Sequence, residues 1–387
     1  MAAPAADARR QLLLDWLNAA LAAVDGRRRM RAALANDAGR ESVSLLAVGK
    51  AAPAMAQGAA DALGTRLWRA LIVAPDGAIP HALAKLPGFE CHEGGHPEPD
   101  ERSLAAGEAA LAFAAATPPG SRVLLCVSGG ASALIEAPAP GVTLADLHAL
   151  YAEAEQQGLA IGELNARRGR LSRIKAGRLP DCFRDSKVEG FLISDVPDDD
   201  PAVVGSGLLA GCPATLVGNL DDALEAVLRT AQLAGLYALR REPRLAGEAA
   251  NAARHICHEL AIGSAELQIW GGETVVRLPA SPGRGGRCQH FALAAAEQIA
   301  GHAEYLVLAA GTDGRDGRSE DAGAIVDGST IDRALDAGFD VRERLAAADS
   351  GRVLEATGDL ISTGNTGTNV GDVVLALRMQ PASVPPM

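Results

Sequence analysis

The sequence predicts an α/β protein of two domains. Short apolar runs recur with helix-compatible segments between them, which indicates a mainly parallel sheet covered on both faces. At 387 residues the chain is too long for one ordinary domain. With 48% of its residues apolar it can also build a sizeable core.

The elements follow in order. Residues 8–30 alternate charged groups with Leu12, Leu13, Leu17 and Leu21, and an amphipathic opening helix is expected from about Ala5 to Leu34. Ser44–Val48 reads as a strand, Gly49-Lys50 as a turn and Ala51–Leu63 as a helix. Leu71–Ala74 is a second strand, and His92–Asp100 reads as a loop. Ser103 is expected to N-cap a helix over Leu104–Ala116, which Pro118-Pro119-Gly120 ends. Strands are then expected at Val123–Val127 and Gly190–Ser194. Residues 221–262 read as two helices joined by a strand-poor linker. Glu266–Trp270 begins a new block, which places the domain boundary near 240 and gives domains 1–240 and 241–387. Tyr305–Ala310 is a strong strand pattern, and Val370–Arg378 closes the chain.

A net charge of −12 argues against a nucleic-acid partner, because no basic field would attract phosphodiester. It does not exclude a small anion held by a few local cations. The cysteines at 91, 126, 182, 212, 257 and 288 show no CxxC spacing, and Cys126 reads as a small buried hydrophobe. No apolar stretch reaches the roughly 20 residues that span a bilayer. Nothing at the N-terminus looks like a signal peptide, so a cytoplasmic location is expected.

Glycine-rich turns adjoin these apolar runs. Ser128-Gly129-Gly130-Ala131-Ser132 follows a strand pattern and precedes a helix-compatible one. Such a junction lets backbone N–H groups converge on an anion, though it also serves plain close packing. Lys50 would stand at the carboxyl end of a parallel strand, where open sheets bind ligands; a solvated lysine is the plainer reading. Asp195 ends a strand as a magnesium ligand, a base for a hydroxyl or an Asx-turn cap. Asp313 and Asp316 resemble a fragment of a calcium loop and lack its remaining ligands. Arg284 and Arg287 lie in a glycine loop, as a phosphate clamp or as solvated arginines. Leu171–Leu179 carries Arg173, Lys175 and Arg178 beside Arg170, a local basic patch. His255 and His258 lack a third ligand and read as a surface pair. His92 and His96 flank glycines and would line a cleft.

Together these stretches resemble the glycerate 2-kinase family, whose C-terminal half is the MOFRL domain. The resemblance rests on Val48–Ala52, Gly95–Asp100, Ser128–Ser132, Leu171–Leu179, Ile193–Val196, Gly271–Thr274, Gly283–Arg287, Gly311–Gly314 with Asp321–Ala324, and Thr366–Val370. It covers nearly the whole chain in the right order. It implies a larger Rossmann-like domain with a mainly parallel sheet and a MOFRL-type domain with a mixed sheet, the active site lying in a cleft between them. It implies ATP-dependent phosphorylation of D-glycerate at the 2-hydroxyl with Mg2+ or another divalent cation. Lys50, Asp195 and Arg287 fall on the catalytic positions. Ser128, Gly129, Gly130, Ser132, Gly271, Gly272, Glu273, Thr366, Gly367, Thr368 and Asn369 fall on the nucleotide-binding ones. Asp195 and Asp313 fall on the metal positions, and a homodimer is possible.

The chain departs from the family pattern at Leu208–Cys212, at Cys288 and His290, and at Asn365 and Gly371. The first two changes bear on which hydroxy acid is taken and on whether turnover is retained. Two other readings stay open: an oxidoreductase acting on hydroxypyruvate, and a non-catalytic binding protein. The former needs a nicotinamide site, and no GxGxxG with a downstream ribose carboxylate is present.

Overall fold

The computed structural model describes residues 3–157, 159 and 161–379. It forms two compact units. One comprises Val24–Asn219 with Gly367–Val370; the other comprises Met1–Ala23, Leu220–Thr366 and Gly371–Met387. Against the single cut expected near 240, the chain passes between units four times. The opening helix belongs with the later half because Ala3–Ala23 packs on helix Leu220–Leu233.

The unit holding Val24–Asn219 is built on six parallel strands: β1 Val43–Val48, β2 Leu67–Ala74, β3 Phe89–Glu93, β4 Arg122–Val127, β5 Lys187–Ile193 and β6 Ala214–Gly218. They lie in the order β3-β2-β1-β4-β5-β6, every neighbouring pair parallel. Helices cover parallel sheets on both faces, so the central strands read as unbroken apolar runs. All six residues of β1 are buried, as are Val123–Val127 of β4. Leu46, Val48, Leu125 and Val127 share one core with Ala106 and Ala110 of helix Glu101–Ala115. Truncating such a leucine to alanine costs about 2–5 kcal/mol.

The other unit has a mixed sheet, in the order β11-β10-β9-β12-β8-β7. Its strands are β7 Ala238–Arg240, β8 Leu267–Gly272, β9 Tyr305–Gly311, β10 Gly323–Asp327, β11 Leu360–Ile361 and β12 Asp372–Arg378. Only the β7–β8 pairing is parallel. The expected Rossmann-like parallel sheet and mixed second sheet are both present.

Three local readings change. The helix expected over Ala5–Leu34 is two helices, Ala3–Ala23 and Gly26–Ala33. Asp25 starts the second by accepting the Arg28 N–H at 2.7 Å, which a continuous helix would not allow. Asp100, not Ser103, caps helix Glu101–Ala115. Ser103 sits one turn in, and its hydroxyl accepts the Asp100 N–H in a reciprocal capping box. His92 and Glu93, expected in a loop, complete β3.

Candidate active site

In the parallel sheet the strand order reverses between β1 and β4, and open α/β sheets bind ligands outside the carboxyl ends of the strands at such a point. Gly49-Lys50 leaves β1 there, Ser128-Gly129-Gly130 leaves β4, and Ser194-Asp195 leaves β5. The two inner turns are stitched together. Lys50 N–H donates to Gly129 O at 3.0 Å, Ser128 N–H to Val48 O at 3.0 Å, and Ala51 N–H to Ser128 Oγ at 3.0 Å. Ser128 is thereby committed to holding the Lys50 turn in place.

Gly129 and Gly130 are required by geometry. Gly130 lies at φ 83°, a left-handed conformation that favours glycine. A methyl group at Gly129 would stand 1.9 Å from Asn369 Nδ2 and 2.0 Å from Asp195 Oδ2. One at Gly130 would stand 3.3 Å from Lys50 Cγ and 3.3 Å from His96 Nε2. Lys50, His96, the glycine turn, Asp195 and Asn369 therefore form one cluster. Asn369 Nδ2 donates to Asp195 Oδ2 at 3.0 Å. No acceptor for the N–H groups of Gly129 and Gly130 is found among the described residues, so both can face an anion. Ser132, two residues on, shares a 2.9 Å hydrogen bond with Ser206 Oγ. Of the two histidines flanking glycines, His96 joins this cluster, while His92 pairs with Glu90 at 2.7 Å on β3.

The remaining expected residues divide. Gly367, Thr368 and Asn369 lie in the unit of the parallel sheet; Thr366 lies in the other, its hydroxyl on Thr312 O at 2.5 Å. Arg287 opens helix Arg287–Ile299, with Nε 2.6 Å and Nη2 2.9 Å from the two oxygens of Asp372, and Nη1 meeting Glu273. Burial weakens the arginine's charge, but the two carboxylates outweigh it and raise its pKa. The arginine clamp foreseen from the sequence thus grips this chain's own Asp372. Arg284 likewise pairs with Glu355 at 2.7 Å and Asp321 at 3.2 Å. Gly271 and Gly272 answer to packing: methyl groups there would meet Leu220 at 2.8 Å and Leu245 O at 2.3 Å.

The calcium-loop resemblance of Asp313 and Asp316 does not hold. Asp313 Oδ1 accepts the Arg315 N–H at 3.0 Å in a local turn. Asp316 is buried and caps helix Arg287–Ile299, accepting from Cys288 N–H at 3.0 Å and Gln289 N–H at 2.7 Å. Burial pushes its carboxyl up to about 7. No group of three or more His, Cys, Asp or Glu side chains disposed for a metal occurs among the described residues. A resident hard cation needs more oxygens than that, whereas Mg2+ commonly rests on one carboxylate, waters and substrate phosphates. Asp195 fits the second arrangement.

The profile described as a domain of unknown function (DUF4147) matches residues 12–234, more than half of the chain, and the MOFRL family profile matches residues 266–372. A D-glycerate 2-kinase of Thermotoga maritima is 32% identical over 87% of this chain and 91% of its own length. The chain belongs to the glycerate 2-kinase family. A glycerate 2-kinase of Pyrococcus horikoshii is 30% identical over 87% of each chain. A protein of Agrobacterium vitis named as a putative hydroxypyruvate reductase is 33% identical over 74% of this chain and 76% of its own. The crystal structure of a Thermotoga maritima glycerate kinase superposes with a TM-score of 0.84 at 30% identity, covering 96% of this chain and all of that one.

Within this family frame, the altered positions after Arg287 lie inside the mixed-sheet unit. Cys288 and His290 are both buried; burial raises the Cys288 thiol and lowers the His290 imidazole, whose Nδ1 lies 3.4 Å from Ser350 Oγ. His255 and His258 are exposed, as a surface pair would be. All six cysteines are free, and Cys126 is fully buried. No helix of the described residues is long and apolar enough to cross a membrane.

In the basic patch at 170–179 Arg170 and Arg178 are exposed and Arg173 half-buried, but Lys175 is interior. Lys175 is 1% exposed and pairs with Glu136, also 1% exposed, while its Nζ donates to Ser132 O at 2.7 Å. Arg178 donates to the carbonyls of Gly169, Ser172 and Lys175. Glu136 gave no sequence signal. It sits in an apolar run, and its partner lies 39 residues away.

Proposed function

We propose that the chain transfers a phosphoryl group from ATP to the 2-hydroxyl of D-glycerate, giving 2-phosphoglycerate and ADP. The observation that carries this is the cluster at the sheet's reversal point: a lysine, two glycine N–H groups and a carboxylate at the ends of the three neighbouring strands β1, β4 and β5. Phosphoryl transfer asks a protein mainly for positioning and charge stabilisation, and these groups supply both. Lys50 and the N–H groups of Gly129 and Gly130 take negative charge on the transferring group. Asp195, fixed by Asn369, orients the attacking hydroxyl. It is also the carboxylate that would hold Mg2+, which when bound neutralises phosphate oxygens. Ser128 and Ser132 shape the turn, and Thr366, Gly367 and Thr368 lead the chain to Asn369. Gly271, Gly272, Glu273 and Asp313 are the nucleotide and metal positions of the mixed-sheet unit by family likeness, with Arg287 as its cation.

A coupled assay for ADP release with D-glycerate, with the phosphorylated carbon read by NMR, tests this. ADP release and a 2-phosphorylated product are expected. Nicotinamide oxidation with hydroxypyruvate in place of ADP release would overturn it. Binding of both substrates without turnover would show a non-catalytic homologue instead.

A further inference from the structure

Beside the glycine turn the parallel-sheet unit buries two cations against one carboxylate. Lys175 and Glu136 form the first pair. The second cation, Arg168, is 8% exposed and stacks 4.3 Å over the Tyr151 ring. Its Nη1 donates to Asn165 Oδ1 at 3.3 Å, and its Nε has no hydrogen-bond partner among the described residues. A buried charge without a counter-charge is costly, and a guanidinium presents donors in a fork that suits a carboxylate. Burial lowers the pKa of both Arg168 and Lys175, with the Arg168 charge adding to the Lys175 shift, so Glu136 alone does not balance them.

Arg168 is wired to the glycine turn. Asn165 Oδ1 accepts from Ser206 Oγ at 2.9 Å, and Ser206 Oγ lies 2.9 Å from Ser132 Oγ. Ser132 stands two residues beyond Gly130, whose Cα faces Lys50 and His96. The hydroxyls can turn to donate to an anion.

We propose that Arg168, with the hydroxyls of Ser132 and Ser206, binds the carboxylate of the hydroxy-acid substrate. This rests on the reading of the site as a glycerate kinase. The single unbalanced charge matches a monoanion rather than a nucleotide's polyphosphate, which needs several cations.

The test uses the whole chain labelled with 15N-arginine, its Arg168 Nε–H resonance assigned as the one lost in Arg168→Lys. D-Glycerate should shift that resonance; glycerol, which replaces the carboxylate by a hydroxymethyl group, and ATP should leave it in place. An unmoved resonance with D-glycerate, or an equal shift with glycerol or ATP, overturns the proposal. In the kinase assay Arg168→Gln should raise the D-glycerate KM about 10- to 100-fold, as losing a charged hydrogen bond does, with the ATP KM unchanged. An unchanged D-glycerate KM, or equal losses for both substrates, also overturns it. A wild-type chain that shows the resonance shift without turnover would instead defeat the kinase reading and leave the carboxylate subsite standing.

Discussion

Asn369 Nδ2 donates to Asp195 Oδ2 at 3.0 Å, and this pair lies directly against the Cα of Gly129. The arrangement joins the end of β5, the turn after β4 and a four-residue return of the chain, Gly367–Val370, at one point. It leaves no room for a side chain at 129. Asn369 and the glycine backbone both border the Asp195 carboxylate, so its orientation depends on both neighbours.

Gly129→Ala is therefore expected to displace Asp195 and Asn369 together. A misplacement of about 1 Å at a reacting centre costs about 100-fold in rate, and kcat/KM for D-glycerate should fall at least that far. Asn369→Ala should lower kcat less, because it frees Asp195 without pushing it. Steady-state kinetics with melting curves checks both. Full activity in Gly129→Ala would mean that Asp195 has no fixed role.

Lys50→Ala is expected to lower turnover by about 100- to 1,000-fold with the fold intact, the usual effect of removing one preorganised charge contact. The Lys50 side chain lies beside Gly130 and its N–H holds Gly129, but only the side chain is lost in the variant. Unchanged kcat, with circular dichroism confirming the fold, would remove Lys50 from the chemistry.

Strand periodicity and glycine turns made the sheets and the turns at their strand ends legible, because a buried parallel strand must be apolar along its length. Pairings distant in sequence were not legible. Nothing local marks Glu136 as the partner of Lys175, or Asp372 as the partner of Arg287, 85 residues away. A charge reads as solvated until its partner is brought to it. That is why Lys175 read as one more cation of a local basic patch and Arg287 as an open clamp. The break at Asp25 was missed for the opposite reason: its cap is local, but the leucine periodicity over it favoured one long helix.

Arg287 separates a structural from a chemical role. Asp372 is 4% exposed, so Arg287→Ala strands its carboxylate. Unpairing a fully buried charge costs about 3–5 kcal/mol, and the partial exposure of Arg287 keeps the loss below that. Arg287→Lys restores the charge but not the two-point grip on Asp372, so neither stability nor kcat should return fully. Urea unfolding beside kinetics checks this. Wild-type stability and activity in the lysine variant would reduce Arg287 to a point charge.

Asp316 gives the chain a pH dependence of known sign. Its carboxyl titrates near 7 when folded, raised chiefly by burial and further by Asp372, although the Gln289 and Cys288 N–H groups pull the other way. Unfolded, it titrates near the ordinary aspartate value of about 4. Between those values the folded chain keeps a proton that the unfolded chain has released. By linkage, this group's contribution to stability declines as pH rises through that window and is flat above it. Asp316→Asn cannot titrate, and it keeps a side-chain acceptor for only one of the two helix-capping N–H groups. The wild type should thus be the more stable at the acid end, with its advantage shrinking up to about pH 7 and then holding constant. Urea unfolding of both chains across that range measures the difference directly, free of every other titrating group they share. A difference that does not change with pH would mean that the folded carboxyl is ionised across the whole window, as in the unfolded chain, and that burial does not raise its titration.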